Sequence, residues 1–384
     1  MKTLNQRCGY AISNELVSIT KKEVNPTNRQ TTTNEKTEST MFKRNYITGI
    51  IQTPAGLVAQ ITTRLDVSDY LGAFRVRWGI RRERYRVNPG LYAVGVPNEK
   101  SDVLVTANYK LSFDSVRKYL KGMNVWLLVL DTRGVNVWCS AGKGTFGTKE
   151  LVYRIQSTSL EKIVQHKRII LPQLGAVGVA AHLVKETSGF TVIYGPVRAS
   201  DIPDFIQSGN KATKDMRRVR FEWYDRAKLI PNDLVYNLRY LALLLVLFFV
   251  LSGINSEGFS FRQASEHSGF LSIIIFAGYI SGIVLTPLFL PYLFFRSFSF
   301  KGFLMGAIVW VFLLLGTTIK LTAFNIPMMF FLLSGISSFL AMNFTGASTF
   351  TSLAGVKKEM KTAVPIQIVC GVIAAILTVL NNFF

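Results

Sequence analysis

The sequence predicts an α/β domain with a mostly parallel sheet, followed by a membrane domain of five helices. Three observations predict this arrangement: short apolar runs alternate with amphipathic segments before residue 240, five long apolar stretches follow, and charge is distributed unevenly. Of the 44 Lys and Arg and the 23 Asp and Glu, only seven and three lie after residue 240. A chain of 384 residues has room for about two or three domains, and this change in composition marks a boundary between two of them.

The first 45 residues differ from both domains. They are rich in Thr, Asn, Lys and Glu and contain few large apolar side chains, so they cannot bury enough apolar surface to offset the entropy lost on folding. We expect residues 1–45 to be a disordered polar tail, residues 46–235 to form a cytoplasmic domain and residues 236–384 to form the transmembrane domain.

The α/β prediction rests on the order of the segments after residue 90. "VLVTAN" and "VWLLVLDT" are short and almost entirely apolar, which is typical of parallel strands covered on both faces. Residues 112–120 and 148–157 are predicted to be helices whose N-termini are capped by Ser112 and Thr148. Alternating strands and helices favour a mostly parallel sheet between two layers of helices.

Ligands of such folds bind beyond the carboxyl ends of the strands. The loops that follow Val105, Asp131, Leu171 and Ile193 are therefore expected to share one rim. The second of these loops carries Cys139, one of three cysteines in the chain, which places this thiol at the predicted ligand-binding edge.

Five apolar stretches predict the membrane domain. They lie near 238–254, 269–290, 302–319, 326–343 and 364–381. Each approaches the length of about 20 residues that a bilayer-spanning helix needs. No Asp, Glu or His lies in the middle of a stretch, so the spans lack the ionisable groups typical of pumps and proton relays. We therefore favour an anchor over a transporter with a cytoplasmic sensor.

Basic residues predict the orientation in the membrane. If the α/β domain is cytoplasmic, the inner loops carry more Lys and Arg than the outer loops, as the positive-inside bias requires. The inner residues are Arg296, Lys301, Lys357, Lys358 and Lys361, and the outer residues are Arg262 and Lys320. We expect a multi-pass protein of the cytoplasmic membrane with its C-terminus outside.

A run of arginines, "RVRWGIRRERYR" (75–86), is interleaved with Trp78 and Tyr85. Basic and aromatic residues alternate in this way at some nucleic-acid-binding surfaces. A basic face near an anionic membrane leaflet, which gains about 1 kcal/mol per residue, explains the run more economically, and an acidic partner protein explains it equally well. We predict no nucleic-acid partner.

The segment "NVWCSAGKGTFG" (136–147) is the main candidate for a site. Its G-x-G-x-x-G pattern from Gly142 to Gly147 matches the dinucleotide fingerprint only weakly, because the glycines begin well after the strand instead of at its end. The cysteines and histidines of the chain form no cluster at zinc-binding spacing. From the residues alone, Cys139 is either a small buried hydrophobe or a reactive or metal-ligating thiolate favoured by Lys143 and a nearby helix start.

The longer segment "NVWCSAGKGTFGT" closely resembles the signature of the membrane-bound corrinoid proteins of microbial mercury methylation, whose motif reads Asn, Val or Ile, Trp, Cys, Ala, Ala or Gly, Gly, Lys. Four other segments resemble that family, as does the five-span tail: "VLVTANYKLSFDSVRK", "ILPQLGAVGVAAHLVK", "YGPVRASDIP" and "MRRVRF". The resemblance covers roughly residues 55–384. It implies a Rossmann-like corrinoid-binding domain, similar to that of the corrinoid iron–sulfur proteins of acetyl-CoA synthesis.

The resemblance also implies roles for individual residues. Cys139 is expected to lie on a helix that caps a cobalamin-type corrinoid and to coordinate its cobalt, for which a soft thiolate is a suitable ligand. Trp138 is expected to pack on the macrocycle, Asn136 and Lys143 to bond its amide side chains, and the two glycines to let the backbone approach. The expected cofactor-binding residues are Asn136, Val137, Trp138, Cys139, Ser140, Ala141, Gly142, Lys143, Gly144 and Thr106.

The activity implied by the resemblance is corrinoid-dependent methyl transfer from methylcobalt to Hg(II), forming methylmercury. The methyl group is expected from a folate-type donor or its methyltransferase. The expected electron donor is a ferredoxin-like protein with two [4Fe–4S] clusters, and it must be a separate chain because this one lacks a cluster-binding Cys pattern. Two alternatives stay open: the same methyl carrier with a different acceptor, and a nucleotide-binding membrane oxidoreductase.

One residue departs from the family motif. Ser140 stands where the family has Ala. A hydroxyl bonded to the sulfur of Cys139 would weaken donation from the thiolate, whereas a hydroxyl bonded to the preceding helical turn, as Ser often is, would not. The sequence leaves both arrangements open.

Overall fold

A computed structural model describes residues 44–316, 322–344 and 353–383. From Thr48 onward the chain forms one compact unit, while residues 44–47 belong to a separate unit, Met1–Ile47. The predicted polar tail therefore lies outside the described residues, except for Arg44 and Asn45.

Seven strands form one sheet in the spatial order β1-β2-β3-β5-β4-β6-β7. The strands are β1 (Ile47–Thr53), β2 (Gly56–Ile61), β3 (Gly90–Val94), β4 (Val103–Ala107), β5 (Val125–Leu130), β6 (Arg168–Leu171) and β7 (Thr191–Tyr194). β4 is parallel to β5 and β6, β6 to β7, and β2 to β3, whereas β3 and β5 are antiparallel. The predicted mostly parallel sheet is confirmed.

Helices surround this sheet and complete its core. They are α1 (Val67–Arg77), α2 (Lys110–Tyr119), α3 (Val137–Gly142), α4 (Thr148–Ser157), α5 (Ala181–Ser188) and α6 (Ile202–Gln207). Every residue of β4 and β5 is buried, as expected for strands covered on both faces. Leu151, Val152 and Ile155 of α4 pack in the same core, so the apolar runs predicted as strands form the centre of the α/β domain.

The two predicted helix caps are wrong, and the reason is tertiary. α2 begins at Lys110, so Ser112 lies inside the helix. α4 begins at Thr148, but its N-cap is Gly147, and the Thr148 hydroxyl accepts a hydrogen bond from the N–H of Ala180 at 2.9 Å. A contact with a distant loop therefore takes the hydroxyl that local sequence assigns to a cap.

Among the described residues, five helical segments are long and apolar enough to cross a membrane, which confirms the predicted membrane domain. They extend over Trp223–Ser252, Phe261–Leu288, Phe298–Gly316, Asn325–Asn343 and Gly355–Leu380. Their elements are α7 (Trp223–Ala227), α8 (Ile230–Ser252), α9 (Phe261–Ile280), α10 (Thr286–Leu288), α11 (Phe298–Gly316), α12 (Asn325–Asn343) and α13 (Leu353–Leu380), with a short hairpin of β8 (Ile254–Asn255) and β9 (Gly258–Phe259). The domain boundary predicted at residue 235 falls inside α8.

Small residues let the membrane helices approach one another closely. A Cβ added at Gly302 or at Gly282 would lie 2.5 or 2.7 Å from the carbonyl oxygen of Ser337, and one at Gly306 would lie 2.7 Å from the Cα of Ser334. Helix association inside a bilayer depends on such contacts, because lipid tails are as apolar as the helices. α12 is thus packed tightly against α11 and against the segment that follows α9.

Candidate functional site

A cleft of about 400 Å³ lies at the carboxyl edge of the parallel strands. The chain passes from β4 to β5 on one side and later to β6 on the other side of β4. The loops diverge at such a switch point and leave a crevice for a ligand. Thr106, Asn136, Pro172 and Gly195, one from each of the four loops or strand ends, all line the cleft, so the prediction that they share one rim is confirmed.

Helix α3 forms one side of this cleft, which Asn136, Val137 and Trp138 line. Its N-cap residue Asn136 accepts a hydrogen bond from the N–H of Cys139 at 2.8 Å, which satisfies one of the free donors of the first turn. Val137 is buried, whereas Trp138 is 37% exposed and Cys139 is an exposed free thiol. The helix therefore presents an indole and a thiol at the rim.

The ten predicted cofactor-binding residues fall into three groups. Those that line the cleft are Thr106, Asn136, Val137 and Trp138. Those that are exposed and do not line the cleft are Cys139, Gly142, Lys143 and Gly144. Those on the buried face of α3 are Ser140 and Ala141. Gly144 has φ +78°, a left-handed conformation that requires glycine for the turn itself.

The loop after β6 packs against the buried face of α3. A Cβ added at Gly178 would lie 2.2 Å from the carbonyl oxygen of Phe146 and 3.0 Å from the Cα of Ala141. One added at Gly175 would lie 2.5 Å from the ring of Phe146, whereas Gly142 faces open space. Sequence reasoning missed Gly175 and Gly178, and their spacing within "LGAVG" is the signal that marks them.

Asn108 joins the loops that follow β4 and β5, and sequence reasoning missed it too. Its side-chain oxygen accepts from the backbone N–H groups of Thr132 and Gly134, both at 3.0 Å. Its amide nitrogen donates to Asp131 Oδ1 at 2.9 Å. Asn108 is 1% exposed, so these bonds are shielded from water and hold the turn that leads into α3.

The hydroxyl of Ser140 donates to backbone carbonyls of the preceding turn of α3. Its Oγ lies 2.6 Å from the carbonyl oxygen of Asn136 and 3.0 Å from that of Val137, and the residue is fully buried. The sequence leaves open whether this hydroxyl bonds the sulfur of Cys139 or the preceding helical turn, and in the structure it bonds the helical turn. The hydroxyl stabilises the first turn of α3 and does not bond the sulfur of Cys139.

A buried cluster of charges fastens α1 to α2. Lys110 Nζ lies 2.5 Å from Asp69 Oδ1 and 2.7 Å from Asp114 Oδ2. The Arg117 guanidinium lies 2.5 Å from Asp69 Oδ2 and 2.8 Å from Asp114 Oδ1. Arg117 is completely buried and also donates to two backbone carbonyls before α1, both at 2.9 Å. All four charged side chains are thus paired.

The two carboxylates of this cluster titrate differently. Burial alone would raise the pKa of Asp69, but hydrogen bonds from Lys110 and the backbone, with the charges of Lys110 and Arg117, lower it below its ordinary value. Burial raises the pKa of Asp114 in spite of the same two cations. The cluster fixes α2, whose first turns line the cleft.

The described residues offer no complete metal site of their own. None of residues 44–316, 322–344 and 353–383 belongs to a group of three His, Cys, Asp or Glu that could hold a metal ion. Two free cysteines lie in these ranges, Cys139, which is exposed, and Cys370, which is buried. A metal at this edge would therefore need most of its ligands from a bound molecule.

The cleft lies within a segment that known proteins share. Residues 77–206 match the family model described as CO dehydrogenase/acetyl-CoA synthase delta subunit. This segment is related to that family. It contains every residue that lines the cleft, together with Cys139.

Three curated relatives match about one third of the chain. Subunit gamma of the acetyl-CoA decarbonylase/synthase complex of Methanopyrus kandleri is 34% identical over 128 residues, which are 33% of this chain and 27% of the relative. The same subunit of Methanothermobacter thermautotrophicus is 35% identical over 127 residues, 33% of this chain and 27% of the relative. The corrinoid/iron-sulfur protein large subunit of Moorella thermoacetica is 33% identical over 125 residues, 32% of this chain and 28% of the relative. The chain thus spans just over a quarter of the length of these relatives.

Proposed function

We propose that this chain binds a corrinoid at the cleft and acts as a membrane-anchored, corrinoid-dependent methyltransferase with Hg(II) as the methyl acceptor. One observation carries the proposal: residues 77–206, which match the model of the CO dehydrogenase/acetyl-CoA synthase delta subunit, contain the whole cleft and an exposed thiol. A relative that matches over 125 residues is named a corrinoid/iron-sulfur protein. The "NVWCSAGKGTFGT" segment, which resembles the mercury-methylation signature, supports Hg(II) as the acceptor.

The donor set around the cleft fits a corrinoid. A corrin would itself supply most of the ligands of its cobalt, so the protein would need to add only one. A single exposed thiol without companion ligands, as Cys139 provides, suits such a pre-ligated metal and does not suit a bare ion. The half-exposed indole of Trp138 at the rim offers an apolar face for a flat macrocycle to cover.

The chain's own residues would hold the cofactor and set its reactivity. Cys139 would ligate cobalt, and Trp138 would cover the macrocycle. Asn136 would keep the first turn of α3 in place, because its side chain accepts a hydrogen bond from the Cys139 N–H. Thr106 and Lys143 would bond polar groups of the corrin edge. When bound, the corrinoid supplies a cobalt centre that accepts and donates a methyl group. A soft, electron-donating thiolate favours release of that group to an electrophile such as Hg(II).

Other proteins must complete the reaction. The chain contains three cysteines in all, fewer than the four that a [4Fe–4S] cluster requires. We therefore propose a separate ferredoxin-like [4Fe–4S] protein as the electron donor. A folate-type compound or its methyltransferase is proposed as the source of the methyl group.

We also propose that the α/β domain faces the cytoplasm and that the C-terminus lies outside. On the side of the α/β domain, Arg296 precedes α11, and Lys357, Lys358 and Lys361 lie in the first turns of α13. All four are exposed. The positive-inside bias assigns that side to the cytoplasm.

The test of the proposed function is anaerobic purification of the full chain from cells that make corrinoids. We expect the absorbance bands of a corrinoid and an equimolar amount of cobalt, and methylmercury on addition of Hg(II), a methyl donor and a low-potential reductant. A protein that binds corrinoid but forms no methylmercury would have another acceptor. A protein that binds a nicotinamide or flavin nucleotide and no corrinoid would be the alternative oxidoreductase.

Replacing Ser140 with alanine is expected to leave the rate of methyl transfer unchanged, because its hydroxyl bonds a carbonyl of α3 and not the ligand sulfur. The loss of one buried hydrogen bond lowers the free energy of unfolding by about 0.5–1.5 kcal/mol at most. Rates measured at equal corrinoid occupancy check this. A twofold or larger increase in the alanine variant, measured well outside error, would mean that the hydroxyl tunes the thiolate after all.

A fragment of residues 44–220 is expected to be soluble and to bind corrinoid without the membrane helices. The apolar core of the α/β domain and every residue that lines the cleft lie before residue 203. An end at Arg220 removes the first candidate span, which begins at Trp223, whereas an end near residue 233 would retain part of it. Gel filtration and absorbance check the fragment. If it folds but binds no corrinoid, the membrane helices contribute to the site.

A further inference from the structure

Exposed basic residues collect at the end of the membrane domain that faces the α/β domain. At this end the N–H of Ser299 donates to Glu359 at 2.6 Å, joining the starts of α11 and α13. The exposed residues here include Arg296, Lys357, Lys358 and Lys361. At the opposite end, where Asn382 donates to the carbonyl of Leu251 at 3.1 Å, the exposed Arg262 is paired with Glu266 at 3.0 Å.

The arginine run of residues 75–86 touches the same end of the membrane domain. Arg82 donates to Asn232 Oδ1 at 3.1 Å, and a Cβ added at Gly79 would lie 3.6 Å from the same oxygen. Asn232 belongs to the first turn of α8. The run lies on the carboxyl side of the sheet, because a Cβ added at Gly134, after β5, would lie 3.2 Å from the carbonyl oxygen of Glu83.

The position of the membrane surface follows from the sequence of α8. The Arg239 guanidinium stacks over the rings of Tyr236 and Tyr240, at 4.9 and 4.7 Å, and Tyr and Arg of this kind mark the level of lipid headgroups. The rest of α8 beyond Leu241 contains no charged residue. At a rise of about 1.5 Å per residue, Asn232 stands roughly 6–12 Å above this level, about one Debye length at physiological salt.

A second basic segment leads into the same helix. Arg217, Arg218 and Arg220 are exposed, and they are followed by Trp223 and Tyr224, which are 65% and 59% exposed. Arginines next to exposed aromatic side chains are typical of segments that lie in a membrane interface. Both segments therefore surround the point at which the chain enters the bilayer.

We infer that these two segments form a basic collar that binds the phosphate headgroups of anionic phospholipids. The collar consists of Arg75, Arg81, Arg84, Arg217, Arg218 and Arg220, all exposed. Positive charge within about one Debye length of the headgroups, mixed with aromatic side chains and contiguous with the first membrane helix, complements an anionic leaflet. An acidic protein partner would not require the charge to lie so close to the headgroups. The contact holds the carboxyl edge of the sheet, with its cleft, next to the membrane surface.

The test uses the full chain in detergent micelles, titrated with phosphatidylglycerol or with phosphatidylcholine, and counts bound lipids by native mass spectrometry. We expect phosphatidylglycerol to bind at least about tenfold more tightly, with the difference reduced at high salt. The variant with Arg75→Gln, Arg81→Gln and Arg84→Gln should lose at least about tenfold of that affinity. Replacement of the same three residues by lysine should restore most of it, and thermal unfolding identifies any misfolded variant.

The matched control carries Lys162→Gln, Lys167→Gln and Arg168→Gln. These exposed residues precede or begin β6 and so lie at the opposite edge of the sheet, and their replacement changes the net charge equally. The control should bind phosphatidylglycerol like the unmodified protein. Equal losses in the two variants, or an unchanged affinity in the collar variant, would overturn the inference. Binding of polyglutamate, as a model of an acidic protein, is measured for the same variants. If the collar variant loses polyglutamate binding but still binds phosphatidylglycerol, the collar is a protein-binding surface and the inference is overturned.

Discussion

Replacing Cys139 with alanine is expected to abolish methylmercury formation in cells while the protein remains folded in the membrane. The proposed cobalt ligand would be lost, and none of the described residues that line the cleft is a Cys, His, Asp or Glu that could replace it. The side chain is exposed, so its truncation removes little buried contact and should leave the α/β domain intact. Methylmercury produced per unit of membrane-bound protein is the measurement.

Two further variants make this experiment specific. Cys370→Ala removes the other described cysteine, which is buried in α13, and should leave methyl transfer unchanged. Cys139→His should retain part of the activity, because an imidazole also ligates cobalt. Normal methylmercury formation by Cys139→Ala at an equal protein level would reject the thiolate ligand.

Replacing Arg117 with alanine is expected to lower the free energy of unfolding of the α/β domain by about 3–5 kcal/mol. Arg117 contacts both Asp69 and Asp114 in a completely buried position. Without it, Lys110 alone faces these two buried carboxylates, so one negative charge is left without compensation. Urea unfolding of the 44–220 fragment, followed by tryptophan fluorescence, measures the change. Thermal unfolding of the full chain in detergent provides a second measurement.

Lys118→Ala is the matched control for Arg117→Ala. Lys118 is the next residue of α2 and is exposed, so the variant removes the same charge from the same helix. Its effect should stay within about 0.5 kcal/mol. Equal effects of the two variants would mean that the buried cluster does not stabilise the domain. Arg117→Met combined with Asp114→Asn should recover much of the loss, since the two charges that remain, Lys110 and Asp69, still pair at 2.5 Å.

The elements that sequence predicts well are those whose pattern is strong and local. β4 and β5 are short apolar runs, and both are buried throughout. The five membrane segments are long and nearly free of charge, and all five are helices of spanning length. In each case the composition of one segment is enough to decide the structure, because burial or a bilayer imposes the same requirement whatever the neighbouring segments do.

The parts that sequence missed depend on segments far apart in the chain. Thr148 has a good capping side chain, yet its hydroxyl accepts from Ala180 across a loop. Asn108 hydrogen-bonds the loop after β5, and it can do so only because β4 and β5 are neighbours in the sheet. Gly178 matters because the loop after β6 passes under α3. No local pattern encodes these partners.

The sequence by itself determined the alternating α/β domain, the five apolar helices and the motif that contains Cys139, because composition and periodicity are properties of single segments. Only the tertiary structure decided that four loops meet at one cleft, that Ser140 bonds the carbonyl of Asn136 and that Arg82 reaches Asn232. Those outcomes depend on strand order and on the packing of helices against the sheet. Both of these arise from contacts between segments that are distant in sequence.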